Sequence, residues 1–343
     1  MAVTIKQIAA ESGFSASTVS HAISGRKPGK RPLSNDTINK IKTIAESLGY
    51  RPNLLAAGLA RNKTYAIGVL VALLRGDFYE RILEGITEVV YPEFSPLLAV
   101  HNYDLARERR EIDLFIGKRV DGVIAACSGT EDIAEAYGSL VSPYSTPLVL
   151  VDRGLKGLDC PVVRGDHELT AYLAAIELIK LGHKRIVYAT AAARIESTQL
   201  FKDGYVKAMC EACLEPEIIH PEMAMWEKQT NQRVAAELVR RVRSGQEAPT
   251  AVICQVDWLA YDVLSECELH GLNVPGDLSV MGLQDCEPSA LPAISLSAVH
   301  VSFETVGKKA AEMLLKLIHG KEPEEKTVLI EPKVVMRRTT RMI

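Results

Sequence analysis

No uninterrupted apolar run in the 343-residue chain reaches the roughly 18 residues that a membrane span requires, and nothing near the start resembles a secretory signal. A Gly-x-Gly-x-x-Gly fingerprint, a Walker loop and a nucleophile elbow are also missing, which argues against an enzyme built on any of them. The seven cysteines are an odd, scattered set, so reduced thiols in a cytoplasmic protein are expected rather than a disulfide framework. Cys210 and Cys213 form a Cys-x-x-Cys, but no second pair and no histidine pair at metal spacing accompanies them. They read as small core residues inside a helical pattern. The eight histidines show no metal spacing, and His183 reads as a structural contact beside a strand. No cofactor and no metal are expected.

Charge is present but unevenly placed. Residues 1–64 hold ten Lys or Arg against three Asp or Glu, leaving thirty against forty for the remainder of a chain whose net charge is −3. A basic head on an acidic body suits phosphate contact by one small domain.

That head carries the most informative pattern. Thr4 with Gln7 three positions on is a capping-box pair, Ile5, Ile8 and Ala9 share one helical face, and Gly13 stops the helix. Phe14 fills the corner and Ser15 can cap a second helix. Val19, Ala22 and Ile23 recur there at helical spacing, so Ala16, Ser17 and His21 point outward. This reads as a helix-turn-helix whose small outward residues would let the backbone approach base edges in a major groove; an ordinary helical hairpin is the plainer alternative. A basic loop, Arg26, Lys27, Lys30 and Arg31, follows and is a candidate for phosphate contact. Ser34 caps a third helix with Ile38, Ile41, Ile44, Ala45 and Leu48 as its buried stripe and Gly49 as its stop.

The chain resembles the LacI/GalR family of transcriptional regulators over essentially its whole length. The matching segments are Val3-Thr4-Ile5, Gly13-Phe14-Ser15-Ala16-Ser17-Thr18-Val19-Ser20, Leu48-Gly49-Tyr50-Arg51-Pro52-Asn53 and Ile67-Gly68-Val69-Leu70. Further on come Arg119-Val120-Asp121-Gly122-Val123-Ile124, Leu181-Gly182-His183-Lys184-Arg185-Ile186 and Val274-Pro275-Gly276-Asp277-Leu278-Ser279-Val280-Met281-Gly282. The resemblance implies a homodimer that reads operator DNA of approximate two-fold symmetry, with a body that senses a small molecule, for instance a carbohydrate-related metabolite. It makes Ala16, Ser17 and His21 base readers, and Thr4, Ser15, Thr18, Lys30 and Asn53 phosphate contacts. The hinge from Pro52 to Arg61 would order on DNA, with Ala56 and Leu59 in the minor groove and Leu59 as the wedge. Gly58 departs from the usual pattern and should weaken that helix by about 1 kcal/mol relative to Ala.

After Lys63 short apolar runs alternate with amphipathic helices. Ile67 to Leu73, Leu97 to Val100, Val123 to Ala126, Leu148 to Val151, Ile186 to Ala189, Ala251 to Cys254 and Leu278 to Met281 read as strands buried on both faces. Such alternation means parallel sheets with helices on both sides. With the family resemblance, which implies a type I periplasmic-binding-protein fold whose chain crosses between lobes three times, the expected fold is an N-terminal all-α helix-turn-helix head plus an α/β two-lobed, type I periplasmic-binding-protein-like body. Boundaries are expected at 1–50 for the head, 51–64 for hinge and linker and 65–343 for the effector-binding and dimerisation body. The crossings between lobes are placed near Arg164, His300 and Thr327, giving lobe 1 as about 65–164 and 300–327 and lobe 2 as about 165–299 and 328–340.

Ligands of open α/β sheets sit beyond the carboxyl ends of the strands. The candidates there, read together with the resemblance, are Arg75, Phe78, Tyr79, Arg194, Phe201, Asp257, Trp258 and Gln284. The resemblance matches Phe78-Tyr79 to an aromatic pair of the family's pocket and makes Asp257 the foremost, since it falls in a ligand-contacting region of the family beside one of only two tryptophans. Three positions depart from the family pattern: Phe201 replaces an arginine, Val256 an asparagine and Gln284 an aspartate. An effector less polar than a typical sugar, or control by a protein partner without any effector, follows as an expectation. Arg194 is a candidate substitute for the lost guanidinium. The same head and body would serve an activator; a solute-binding protein for transport would share only the body.

Overall fold

The computed structural model describes residues 3–24, 33–50, 63–74, 76–142, 144–190, 195–219, 228–245 and 247–343. It divides into two compact units, Met1–Tyr65 and Ala66–Ile343.

In the first unit, α1 (Ile5–Ser12), α2 (Ala16–Ser24) and α3 (Asn35–Ser47) pack around Ile8, Val19, Ala22, Ile41 and Ala45. The ends are set by local chemistry. Thr4 and Gln7 form the reciprocal capping box, with the Thr4 amide donating to Gln7 Oε1 at 2.8 Å. Gly13 closes α1 in the left-handed conformation (φ 73°), and Ser34 caps α3 by accepting from the Thr37 amide at 3.2 Å. Leu48, expected in the buried stripe of α3, is 37% exposed. Leu48 is the C-cap, its amide still donating to the Ile44 carbonyl at 3.1 Å, and the stripe of Ile41 and Ala45 runs out of core at this last turn.

The second unit holds two six-stranded sheets. The first has the order β11-β5-β4-β3-β1-β2, with β1 (Ala66–Val71), β2 (Ser95–Val100), β3 (Gly122–Ala125), β4 (Leu148–Val151), β5 (Val162–Gly165) and β11 (Thr327–Ile330), all parallel. One face packs on α4 (Phe78–Val90) and α11 (Phe303–Ile318). The other packs on α5 (Leu105–Lys118) and α6 (Ala134–Val141). The second sheet has the order β12-β10-β9-β8-β6-β7, with β6 (Ile186–Ala189), β7 (Glu217–Ile219), β8 (Ala251–Cys254), β9 (Ser279–Gly282), β10 (Ser297–His300) and an antiparallel β12 (Lys333–Val335). Its faces pack on α7 (His167–Lys180) and α8 (Glu196–Glu211), and on α9 (Lys228–Ser244) and α10 (Asp257–Leu269).

Several expectations need correction here. The third passage between lobes lies between Ile330 and Lys333, not near Thr327, because residues 327–330 pair with β5 of the first sheet, Thr327 opposite Val162 and Ile330 opposite Gly165. The run at 97–100 is not buried on both faces: β2 is an edge strand, and Leu98 is 43% exposed. Cys210 and Cys213 are exposed rather than core residues. The buried face of α8 runs through Phe201, Tyr205, Ala208 and Met209, and Cys210 lies one position off it. His183 is a buried structural contact, with Nδ1 against Thr250 Oγ1 at 2.9 Å and Nε2 against the Arg341 carbonyl at 3.1 Å.

In the first lobe α4 and α11 meet backbone to backbone. A Cβ at Gly307 would collide with the Ile82 carbonyl, and one at Gly85 with that of Glu304. Gly307→Ala therefore has to part the helices. Alanine gains about 1 kcal/mol of helix propensity, while displacing two packed backbones costs about 3 kcal/mol. A net loss of about 2 kcal/mol, or roughly 4–8 °C in Tm, is expected by scanning calorimetry; an unchanged Tm would contradict the close packing.

Candidate functional site

The reading surface of the first unit follows from what α2 buries. Val19 and Ala22 are committed to the core, so the opposite side presents Ala16 and Ser17 exposed and His21 partly exposed. The exposed Ser15 hydroxyl accepts from the Thr18 amide at 3.1 Å and pairs with Thr18 Oγ1 at 2.8 Å, which fixes the start of α2. Exposed Thr4 occupies the same place on α1. Two helix starts with forward-pointing amides suit phosphate oxygens. Lys30, Asn53, Ala56 and Leu59 lie outside the described residues, as do Arg75 and Arg194.

In the second unit a cavity of about 630 Å³ opens where the carboxyl ends of the strands converge. The segments after β1 supply Leu73, Gly76, Phe78 and Tyr79; that after β2 supplies Tyr103; that after β4 supplies Asp152 and Arg153. From the second sheet come Ile195, Ser197 and Phe201 after β6, Gln255, Val256 and Trp258 after β8, and Leu283, Gln284 and Cys286 after β9. His167 and Phe303 stand where the chain passes between lobes.

Direct contacts join the lobes. The Gly154 amide donates to Glu196 Oε2 at 2.5 Å, and the Glu287 amide donates to Asp77 Oδ2 at 2.6 Å. Trp258 lies so close over Gly76 that a Cβ there would be 2.6 Å from the indole Nε1, and Gly76 has φ 73°, so both space and backbone call for glycine. Arg81 clamps Glu304 through Nε at 2.7 Å and Nη2 at 3.1 Å, and reaches the Asp285 carbonyl at 3.4 Å.

The charged centre of the cavity is the Asp152–Arg153 pair. Arg153 Nη2 is hydrogen-bonded to Asp152 Oδ2, Tyr79 donates its hydroxyl to the same oxygen at 3.4 Å, and the Arg153 guanidinium lies 5.9 Å from the centre of the Tyr103 ring. Asp152 has φ 71°, a left-handed conformation that aspartate tolerates better than most residues. His167 Nε2 donates to the Asp152 carbonyl at 2.7 Å, and burial lowers its pKa, so the ring is neutral near pH 7. Burial pushes the Tyr79 hydroxyl well above its ordinary value, with Tyr103 and Asp152 acting in the same direction. Among the described residues, Arg153 Nε and Nη1 and Asn231 Oδ1 are buried without a hydrogen-bond partner.

Comparison with known proteins agrees with this geometry. Residues 4–53 match the model for bacterial regulatory proteins of the lacI family, and residues 175–340 match that for a periplasmic binding protein-like domain. The chain is 30% identical over 347 residues to the HTH-type transcriptional repressor PurR of Glaesserella parasuis, covering 98% of both chains. The chain belongs to the LacI family. The PurR of Mannheimia succiniciproducens is 28% identical over 341 residues and 99% of each chain. A crystal structure of the Lac repressor dimer bound to operator and the anti-inducer ONPF has the same fold, with a TM-score of 0.87 at 22% identity, covering 99% of this chain and all of that one. This LacI-family chain is thus a DNA-binding regulatory protein and not an enzyme.

Of the residues expected at the effector site, Phe78, Tyr79, Phe201, Trp258 and Gln284 line the cavity. Asp257 does not. It is fully buried and turned into the lobe, accepting from the Gln284 amide at 3.2 Å, the Cys286 amide at 2.8 Å and the Ser289 hydroxyl at 2.7 Å. Its carboxylate ties the start of α10 to the loop after β9 and is unavailable to a ligand. Sequence reasoning missed Tyr103, Asp152, Arg153, His167, Asn231 and Tyr261. Asp152-Arg153 directly follows the run Leu148–Val151, so the strand-end rule could have found the pair.

Proposed function

We propose that this LacI-family protein is a dimeric repressor of a metabolic operon whose affinity for a two-fold-symmetric operator is set by a small molecule bound between the lobes. The observation that carries the reading is the 630 Å³ cavity built from the strand ends of both sheets, which are joined by chain passages after β5, after β10 and between β11 and β12. A ligand touching both walls changes the free energy of one lobe arrangement relative to another, and only that difference is available to shift DNA affinity. In this reading residues 1–50 are the reading head, 51–64 the hinge, and the remainder senses and dimerises. Ala16, Ser17 and His21 face base edges, Thr4, Ser15, Thr18, Lys30 and Asn53 touch phosphate, and Ala56 and Leu59 enter the minor groove. The relatives' designation as repressors favours repression over activation.

Selection of sites from random duplex DNA, followed by titration of the enriched site at two salt concentrations, tests the proposal. A palindrome-like site with a steep salt slope is expected. His21→Ala should change base preference at one position of each half-site, whereas Lys30→Ala should weaken all sites alike and reduce the salt slope by about one. Identical behaviour of the two variants across operator variants would refute the division of labour. Absence of any enriched site, with and without cell extract, would refute the reading head.

A further inference from the structure

The cavity's chemistry, on the reading that it holds the effector, narrows what that effector is. Three features bear on it. Its wall is unusually aromatic for a chain with only 6% Phe, Trp and Tyr: Phe78, Tyr79, Tyr103, Phe201, Trp258, Tyr261 and Phe303 all line it. These rings are ordered by one another. Phe78 stacks edge-on with Tyr79 and Phe303 at 4.6 and 4.4 Å, and Trp258 with Tyr261 at 5.6 Å. Such walls favour a flat, polarisable ligand.

Most of the cavity's polar side chains are already committed to protein partners. Gln255 is bound to Thr190 and reaches Thr198 at 3.5 Å. Gln284 Oε1 accepts from the Asp257 amide at 3.3 Å, and the Tyr261 hydroxyl is paired with Ser289 at 2.7 Å. A sugar brings several hydroxyls that each need a donor and an acceptor, and every one left unpaired in a dry site costs about 1–3 kcal/mol. The cavity cannot satisfy such a ring of hydroxyls from these groups.

Two groups are exceptions: Asn231, whose buried Oδ1 has no hydrogen-bond partner among the described residues and calls for a ligand donor such as a ring N–H or a hydroxyl, and Arg153. Arg153 lines the cavity, is 4% exposed, and has two guanidinium nitrogens, Nε and Nη1, without a partner among the described residues. A guanidinium always donates and cannot release its proton, so what completes it must be an acceptor, best a charged one. The family's usual arginine on α8 is Phe201 here, and Phe201 packs on His167 with ring centres 4.4 Å apart.

We propose that Arg153 anchors the effector and that the effector is a flat ring bearing a carboxylate, an aromatic or heteroaromatic acid, with its carboxylate toward Arg153 and its ring between the aromatic walls. Isothermal titration of the full-length protein tests this. The probes are 4-hydroxybenzoate, nicotinate and indole-3-carboxylate, beside their carboxamides, D-glucose, D-ribose and hypoxanthine. At least one acid should bind, and at least tenfold more tightly than its own carboxamide. Arg153→Ala should weaken it at least thirtyfold, with Arg153→Lys recovering part of the loss. Because Arg153 is buried and its removal strands Asp152, Trp258→Leu at a half-exposed position provides a second test and should weaken the acid about tenfold. Tighter binding of a sugar, of hypoxanthine or of a carboxamide would overturn the ligand class while leaving effector control standing. Acid binding unchanged in both Arg153→Ala and Trp258→Leu would overturn the anchor. Binding by none of the probes would overturn the ligand class; operator affinity that also fails to respond to a broad metabolite mixture would remove the effector reading itself.

Discussion

An Ala16→Trp variant loses specific operator binding by about a thousandfold or more, falling to the level of its affinity for unrelated duplex. Ala16 is the first residue of α2 and is exposed, so the proposed reading face is flat at the point where a recognition helix comes nearest the base edges. An indole there holds the helix away from the groove and breaks the base contacts together, not one by one. Nothing in the folded head depends on a small side chain at this position, since the core of the unit is Ile8, Val19, Ala22, Ile41 and Ala45. Stability should therefore stay within about 0.5 kcal/mol of the parent. Fluorescence anisotropy on the selected operator and on a scrambled duplex at the same salt measures both affinities. An operator affinity within threefold of the parent would show that α2 does not read the major groove.

Asp257→Ala should destabilise the body by about 3 kcal/mol, because two buried amides and a hydroxyl lose their acceptor. The carboxylate also gives stability a pH dependence of unusual sign. Burial raises its pKa to about 6, outweighing the hydrogen bonds from Ser289, Cys286 and Gln284 that act to lower it. Unfolded, an aspartate titrates near 4. Between these values the folded chain binds the proton that the unfolded chain has released, so this group's contribution is full below about pH 4 and declines until about pH 6. The decline amounts to about 3 kcal/mol, and the contribution is level above that window. Asp257→Asn removes the titration. Urea denaturation of parent and Asn variant from pH 4 to 7 should give stability curves whose difference shifts by about that amount, and parallel curves would show that Asp257 does not titrate in this window.

The two carboxylates flanking the cavity show where reading a sequence ends. Asp257 and Asp152 both follow apolar strand runs, at Ala251–Cys254 and Leu148–Val151. Nothing local distinguishes them. The resemblance makes Asp257 the foremost ligand candidate, yet it is an internal tie, while Asp152-Arg153, which no motif marks, is the charged centre of the cavity. The difference is made by the loop after β9, nearly thirty residues from Asp257, whose amides turn inward and take up its oxygens.

The shorter and more polar strands are illegible for a related reason. β7, β11 and β12 are three or four residues long and have no fully buried position, so they lack the continuous apolar run that announces a strand buried on both faces. β5 and β10 are interior strands whose four residues include Arg164 and Gly165, or Ser297 and His300, and so break the apolar run as well. β11 forms because β5 offers it an unpaired edge. Its place in the first sheet is what moves the last passage between lobes to Ile330–Lys333.

By itself the sequence determined the helix-turn-helix head, the alternation of strands and helices in the body and the family to which the chain belongs. Caps, glycine stops and hydrophobic periodicity act within a few residues and leave their mark in order along the chain. The tertiary structure alone decided which polar groups meet the cavity. A hydrogen bond between Asp257 and the loop after β9, or a guanidinium held against Tyr103 and Asp152, depends on elements brought together from distant parts of the chain. Whether a polar side chain is satisfied by the protein or left for a ligand is settled only when those partners are in place.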